Sequence, residues 1–271
     1  QVPFIDSTKI KNTILEIANK NKIKTENDIS KGQQFEVFDS SLIENKNSVT
    51  VGSRQDIKKT YFTINIDPKA YSPLLILGNE KQKLKLLFNS FVRDHLINNK
   101  NINVLCLDFH PLNMDNVSSS LLKKDKIYKY SNNEKNFFEH LIEINKKSLN
   151  SKKINLLLIL GLDESLSFKE NIIDDIGSQT DNKTKENLLK IIRERLSLNI
   201  IPIVFLRKLS NFSSVFDSLI YENSISSDVF SRRIYMDTPQ EFNYDYGNLS
   251  KYKVFYHDLE KSTQQILTIF E

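Results

Sequence analysis

Ser72-Pro73-Leu74-Leu75-Ile76-Leu77-Gly78-Asn79-Glu80-Lys81-Gln82-Lys83-Leu84-Lys85-Leu86-Leu87-Phe88 decides how the rest of the chain is read. Four apolar residues, Leu74 to Leu77, run into a glycine. A lysine-rich turn follows, and then Leu84, Leu87, Phe88, Phe91, Val92, His95 and Leu96 recur at helical spacing. Strand, glycine turn and helix in that order frame a phosphate-binding loop. Such a loop needs a second glycine five residues after the first, then Lys, then Ser or Thr. Bare backbone N–H groups and an ammonium can then surround the phosphates. Counted from Gly78, those places hold Lys83, Leu84 and Lys85. Gly78, Asn79, Glu80, Lys81, Gln82, Lys83, Leu84 and Lys85 therefore keep the frame of a nucleotide site and lose its phosphate chemistry.

The alternation of elements continues outward from this stretch. Upstream, Val49 to Gly52 and Thr60 to Asp67 predict strands, the second with Phe62, Ile64 and Ile66 on one face. Downstream, strands are predicted over Ile102 to Asp108, Lys126 to Tyr130, Ile154 to Leu160, Ile200 to Leu206 and Arg232 to Met236. Helices are predicted over Glu134 to Leu149, Lys183 to Leu198 and Val215 to Tyr221. On the second of these, Leu188, Leu189, Ile192 and Leu196 point inward. Tyr252 to His257 and Gln264 to Phe270 pair as a C-terminal β-hairpin. Ile154 to Leu160 is the most apolar strand and belongs mid-sheet, covered on both faces. This order predicts an α/β fold with a mostly parallel central sheet flanked by helices. Residues 7–20 read as an N-terminal helix, and 1–45 as that helix with a linker to a preceding domain. One domain then spans 46–271.

Composition bounds the function. With 38 basic and 34 acidic residues the net charge is only +4. No basic stretch is interleaved with aromatics, so nucleic acid is not an expected partner. The single cysteine, Cys106, excludes an internal disulfide and sits in an apolar run as a core residue. No run approaches the ~18 apolar residues of a membrane-spanning helix. The chain opens on Gln1, which suggests a piece of a longer protein. Glycine is scarce, 6 of 271 residues, so few positions allow close backbone approach to a ligand.

A nucleotide-hydrolysing site needs a second station, an apolar strand ending in Asp, often followed by Glu, to hold magnesium and polarise water. Asp163 and Glu164 are the candidates. If the strand ends at Leu160, the metal-binding place is Gly161 and the acid is gone. If it runs two residues further, Asp163 and Glu164 supply the pair. With the first station lost, the plainer reading is a polar loop after a buried strand. Lys81, Lys83 and Lys85 could attract an anion to the helix N-terminus, although a solvated basic turn is the commoner outcome. Arg193, Arg195 and Arg207 lie where ring ATPases contact a neighbour's phosphates, and Arg193 and Arg195 read equally as surface charges. His95, His110, His140 and His257 show no metal spacing with each other or with Cys106, so no metal site is expected. Phe212, Phe216, Tyr252, Phe255 and Tyr256 could line a groove, with core packing the simpler expectation.

The order of these features resembles the FtsK/SpoIIIE class of motor domains. Val51-Gly52-Ser53-Arg54 and a hairpin strand precede the Ser72–Gly78 segment. The apolar strand 154–160 and Asn199-Ile200-Ile201-Pro202-Ile203-Val204-Phe205 follow it. With its lost phosphate loop, the chain looks most like the C-terminal ATPase domain of the EssC/EccC family of type VII secretion proteins, over roughly residues 45–271. The resemblance implies a RecA-like P-loop NTPase fold on the cytoplasmic face of a bacterial membrane, within a larger anchored protein. It implies as partners adjacent ATPase domains of the same chain, small helical WXG-type secreted proteins and other secretion-machinery subunits, with a hexamer as the assembled form. The departures at Lys83, Leu84, Lys85 and Gly161 imply a domain that does not hydrolyse ATP and acts in substrate recognition or regulation. No cofactor is then expected, and ATP with magnesium enters only if the altered site still binds. The alternatives are an active ATP-hydrolysing motor domain and an FtsK-like DNA translocase.

Overall fold

The fold was described from a computed structural model, which describes residues 48–54, 60–66, 73–93, 102–110, 128–133, 137, 153–165, 183–218, 221–239, 249 and 252–270. The strands are β1 (Ser48–Arg54), β2 (Tyr61–Asn65), β3 (Leu74–Leu77), β4 (Ile102–Asp108), β5 (Tyr128–Ser131), β6 (Ile154–Leu160), β7 (Ile200–Leu206), β8 (Arg232–Tyr235), β9 (Lys253–Asp258) and β10 (Thr263–Ile269). The helices are α1 (Lys81–Phe91), α2 (Lys183–Arg193) and α3 (Phe212–Phe216). The expected N-terminal helix and linker, the boundary at 45/46, His95, Leu96 and most of the helix over 134–149 lie outside the described residues. Of that last helix only Phe137 is described, helical and buried.

The ten strands among the described residues form one sheet in the order β2-β1-β10-β9-β8-β3-β7-β6-β4-β5. From β8 to β5 every neighbouring pair is parallel, and from β2 to β8 every pair is antiparallel. Apolar runs without alternation become the parallel strands because both their faces are covered. Leu74 and Ile76 of β3, Val104 and Cys106 of β4, and Leu156, Leu158 and Leu160 of β6 enter one core. Leu84, Leu87, Phe88 and Phe91 of α1 cover that face. Leu75, Leu105, Leu157 and Ile159 face the other way, under Leu188, Leu189 and Ile192 of α2 and the α3 aromatics. All five aromatics considered for a groove are buried, Phe216 completely. They belong to the core.

The antiparallel half curls. Phe62 on β2 meets Tyr256 on β9 with ring centroids 4.7 Å apart. Nη1 of Arg232 on β8 donates to the Asn65 carbonyl on β2 at 3.1 Å. Two strands lie between the first pair in the sheet and three between the second, so only strong twist and coiling bring them together. A register shift between Thr50 and Gly52 contributes the bend. At Gly52 a Cβ would stand 2.3 Å from the Thr268 carbonyl oxygen of β10. Arg93, just past α1, fastens this half to the helix. Its guanidinium donates to Ser90 Oγ at 2.6 Å and to the Thr50 carbonyl at 3.4 Å, and stacks over Phe270. Burial lowers its pKa to about 10.

Two predicted helices differ from the structure. The helix starting at Lys183 ends at Arg193, and residues 194–199 form turns, with Asn199 in the left-handed region at φ 51°. Leu196 therefore leaves the inward stripe and is 50% exposed. The helix predicted over Val215 to Tyr221 is shifted to Phe212–Phe216, where stacking of Phe212 on Phe216 and their contacts with Phe230 fix it. Gly52→Ala is expected to destabilise the domain by about 1–3 kcal/mol, because β10 backbone must shift. Urea unfolding of the variant beside the parent checks this.

Candidate functional site

The parallel strands end along one edge, where open α/β sheets carry their ligands. Here β3 runs into Gly78, β6 into Gly161 and β7 into Arg207. Gly78 has φ 141°, and a Cβ on it would stand 2.5 Å from the Met236 side chain. Its N–H donates to the Leu206 carbonyl, and the Met236 N–H donates to the Leu77 carbonyl, closing the turn on both sides. Only Gly78, Asn79 and Glu80 separate β3 from α1. Lys83, Leu84 and Lys85, the places counted for Gly, Lys and Ser/Thr, are thus already helical.

Lys83 is fully buried, not part of a solvated turn. Its Nζ donates to the Met236 carbonyl at 2.6 Å and the Leu249 carbonyl at 3.3 Å. It pairs with Glu80 Oε2 at 2.8 Å and stands 3.6 Å from Asp237 Oδ1. An ammonium has three protons, and the two carbonyls and Glu80 take them. Lys81 is exposed, Lys85 half-buried, and Leu84 packs in the core. Gln82 reaches the Tyr252 hydroxyl at 3.2 Å.

β6 ends at Leu160, and Gly161 stands in the left-handed conformation at the place of the expected acid. A Cβ there would come within 3.0 Å of the His110 backbone. Asp163 and Glu164 follow in a single 3-10 turn. Asp163 is fully buried. Its Oδ2 accepts from the Arg207 N–H at 3.1 Å and from Asn211 Nδ2 at 2.6 Å. Its Oδ1 has no hydrogen-bond partner. Glu164 Oε1 lies 2.7 Å from Nε of Arg207, and Asp163 Oδ2 lies 3.6 Å from the same nitrogen. Arg207 is thereby committed within the chain. Arg193 is committed too, donating to the Glu222 carbonyl and Asn223 Oδ1. Arg195 Nη1 donates to the Ile192 carbonyl.

Asp108 at the end of β4 is a neighbour that sequence reasoning did not single out. Its Oδ1 accepts from the His110 N–H at 2.8 Å, and its Oδ2 accepts from the Tyr130 hydroxyl at 2.7 Å. The signal was present in its position, a charged residue closing a buried strand. His110 lies within the field of Asp108, Glu164, Asp163 and Arg207. Burial lowers its pKa, the three carboxylates raise it, Arg207 lowers it, and the net shift is downward. Among the described residues no group of three or more His, Cys, Asp or Glu is arranged to hold a metal, and no helix is long and apolar enough to cross a membrane.

No known family model matches the sequence, and no curated protein does. Solved structures do match in shape. The cytoplasmic domain of EssC superposes with a TM-score of 0.61 at 11% identity, covering 99% of this chain and 54% of that one. EssC ATPases 2 and 3 from Geobacillus thermodenitrificans give 0.62 at 11% identity, covering 99% and 51%. Thermomonospora curvata EccC (ATPases 2 and 3), in complex with a signal sequence peptide, gives 0.53 at 10% identity, covering 87% and 43%. The chain spans about half the length of the EssC structures it matches. It shares its fold with these EssC structures.

A His with a lowered folded pKa binds fewer protons than its unfolded form below the ordinary value of about 6.5. The stability tied to neutral His110 is thus complete above that pH and is lost as pH falls toward the lowered value. His257, also lowered, chiefly by burial, acts in the same sense. His110→Gln should flatten the fall in unfolding free energy below about pH 6.5. Urea midpoints measured across the acid range for both proteins check this.

Proposed function

We propose that this chain is a non-hydrolysing domain of a type VII secretion motor, acting in export-substrate recognition or in regulation of adjacent ATPase domains. Two things support the reading. The fold matches EssC and EccC structures that comprise ATPases 2 and 3 of those proteins. The observation that carries it is Lys83. Where the frame calls for donors around a phosphate, the chain presents acceptors around its own ammonium.

An ATPase fold implies nucleotide and magnesium, and the residues present do not fit them. The three-residue turn is too short to wrap a phosphate, and Met236 is packed against Gly78. Glu80 sets a carboxylate at the α1 N-terminus, where an anion would sit. Gly161 offers no metal ligand. No step of catalysis is therefore assigned. Recognition of small helical secreted proteins, a place at the cytoplasmic face of the membrane and hexameric assembly belong to the same proposal. They rest on the likeness to EssC and EccC, the latter with a signal sequence peptide bound in its structure.

The competing reading, ATP hydrolysis through Asp163 and Glu164, has one observation in its favour: the unpartnered Oδ1 of Asp163. Equilibrium binding of labelled ATP with magnesium, together with phosphate release, separates the two. The expected result is no saturable binding at micromolar nucleotide and no turnover. Micromolar affinity lost on Lys83→Ala, or turnover abolished by Glu164→Gln, overturns the proposal.

A further inference from the structure

The curled antiparallel half lines an open cavity of about 600 Å³, within the ~300–1,000 Å³ range of small-ligand sites. It lies at the other edge of the sheet from Gly78. Arg232 pairs with Leu74, where β3 begins, whereas Gly78 follows Leu77, where β3 ends. The cavity exists because β2 folds back over β8 and β9, held by the Arg232–Asn65 hydrogen bond and the Phe62–Tyr256 ring contact. The β9–β10 turn closes one side.

The charges in its wall are unequal. Arg54, Arg232 and Lys261 line it against a single carboxylate, Asp258. That carboxylate is used internally: Oδ1 accepts from the Lys261 N–H at 3.1 Å, and Oδ2 accepts from the Tyr256 hydroxyl at 3.4 Å. Glu260, in the same turn, accepts from Ser231 Oγ. Arg232 is 4% exposed and gives Nη1 to Asn65. Arg54 differs from it. It is exposed, its guanidinium lies over the Phe62 ring at 5.7 Å, and it pairs with no carboxylate among the described residues. Lys261 holds its Nζ at the surface, 4.0 Å from Asp258 Oδ2. Two surface cations thus line the cavity together with Phe62 and Ile64, 6% and 4% exposed, and the Tyr256 phenol. Burial, and then Asp258, push that phenol well above its ordinary value, so it stays protonated and donates to Asp258.

We infer that this cavity binds a small organic anion, a carboxylate or phosphate ester with a flat apolar body. The anionic group lies between Arg54 and Lys261, and the body rests on Phe62 and Ile64. A guanidinium held over an aromatic ring keeps its donor edge available for such a group. The site involves no residue of the Gly78–Lys85 turn and stands or falls separately from the nucleotide question.

Isothermal titration of the whole chain with phenyl phosphate and with benzoate tests it, with benzyl alcohol as the uncharged control. Saturable one-site binding of at least one anion is expected, and which of the two binds tells phosphate from carboxylate. Arg54→Ala and Lys261→Ala should each weaken binding about tenfold, the loss of one charge-assisted contact. Both side chains are at the surface, so these variants keep the fold. Lys190→Ala, which removes an exposed lysine of α2 outside the cavity wall, should leave the affinity unchanged. Absence of saturable binding by either anion, equal binding of benzyl alcohol, or affinities untouched by both alanine variants overturns the inference.

Discussion

A buried ammonium organises the sheet edge where this fold carries its ligands. Stripping Lys83 of water costs several kcal/mol, and only close acceptors can offset that. The Met236 carbonyl, the Leu249 carbonyl and Glu80 supply them at 2.6–3.3 Å. Each constrains its own segment: Met236 the end of β8, Leu249 the approach to β9, and Glu80 the start of α1. The Glu80 contact is local, one helical turn before Lys83, whereas the two carbonyls come from distant segments. Met236 completes the closure by packing its side chain where only a glycine, Gly78, leaves room.

The second station is closed in a parallel way. Gly161 turns left-handed against the His110 backbone, and the next carboxylates are aimed back at β7 and its continuation. Asp163 holds Arg207 and Asn211, and Glu164 holds Arg207. Polar groups that could face a nucleotide are spent on fixing the ends of β6 and β7 relative to each other. The antiparallel half, by contrast, keeps Arg54 uncommitted to any described carboxylate beside a real cavity. The two edges of the sheet thus differ in what they can offer a ligand.

Much of the fold was legible in the sequence, and the reason is periodicity. Leu74–Leu77, Ile154–Leu160 and Ile200–Leu206 announced themselves as buried parallel strands through unbroken apolar runs, and the C-terminal hairpin through its spacing. Leu196 misled because a periodic stripe does not say where a helix stops. The helix stops at Arg193, and turns follow as far as the left-handed Asn199. The candidate site was legible only as a frame. Counting from Gly78 located Lys83, but its partners at Met236 and Leu249 lie 153 and 166 residues away. The partners of Asp163, Arg207 and Asn211, are 44 and 48 residues distant. Local spacing carries no information about such pairs. The cavity was invisible for the same reason, because it depends on β2 meeting β9 across two intervening strands and β8 across three.

The central claim is that Lys83 is held by the protein itself and not by a ligand. Nitrogen-15 NMR of the lysine ammonium groups reads this directly. A Lys83 ammonium resonance with slow solvent exchange should be present in the free protein and unmoved by excess magnesium and ATP. A Lys83 signal that exchanges as fast as those of surface lysines, or that shifts when nucleotide is added, would contradict the account.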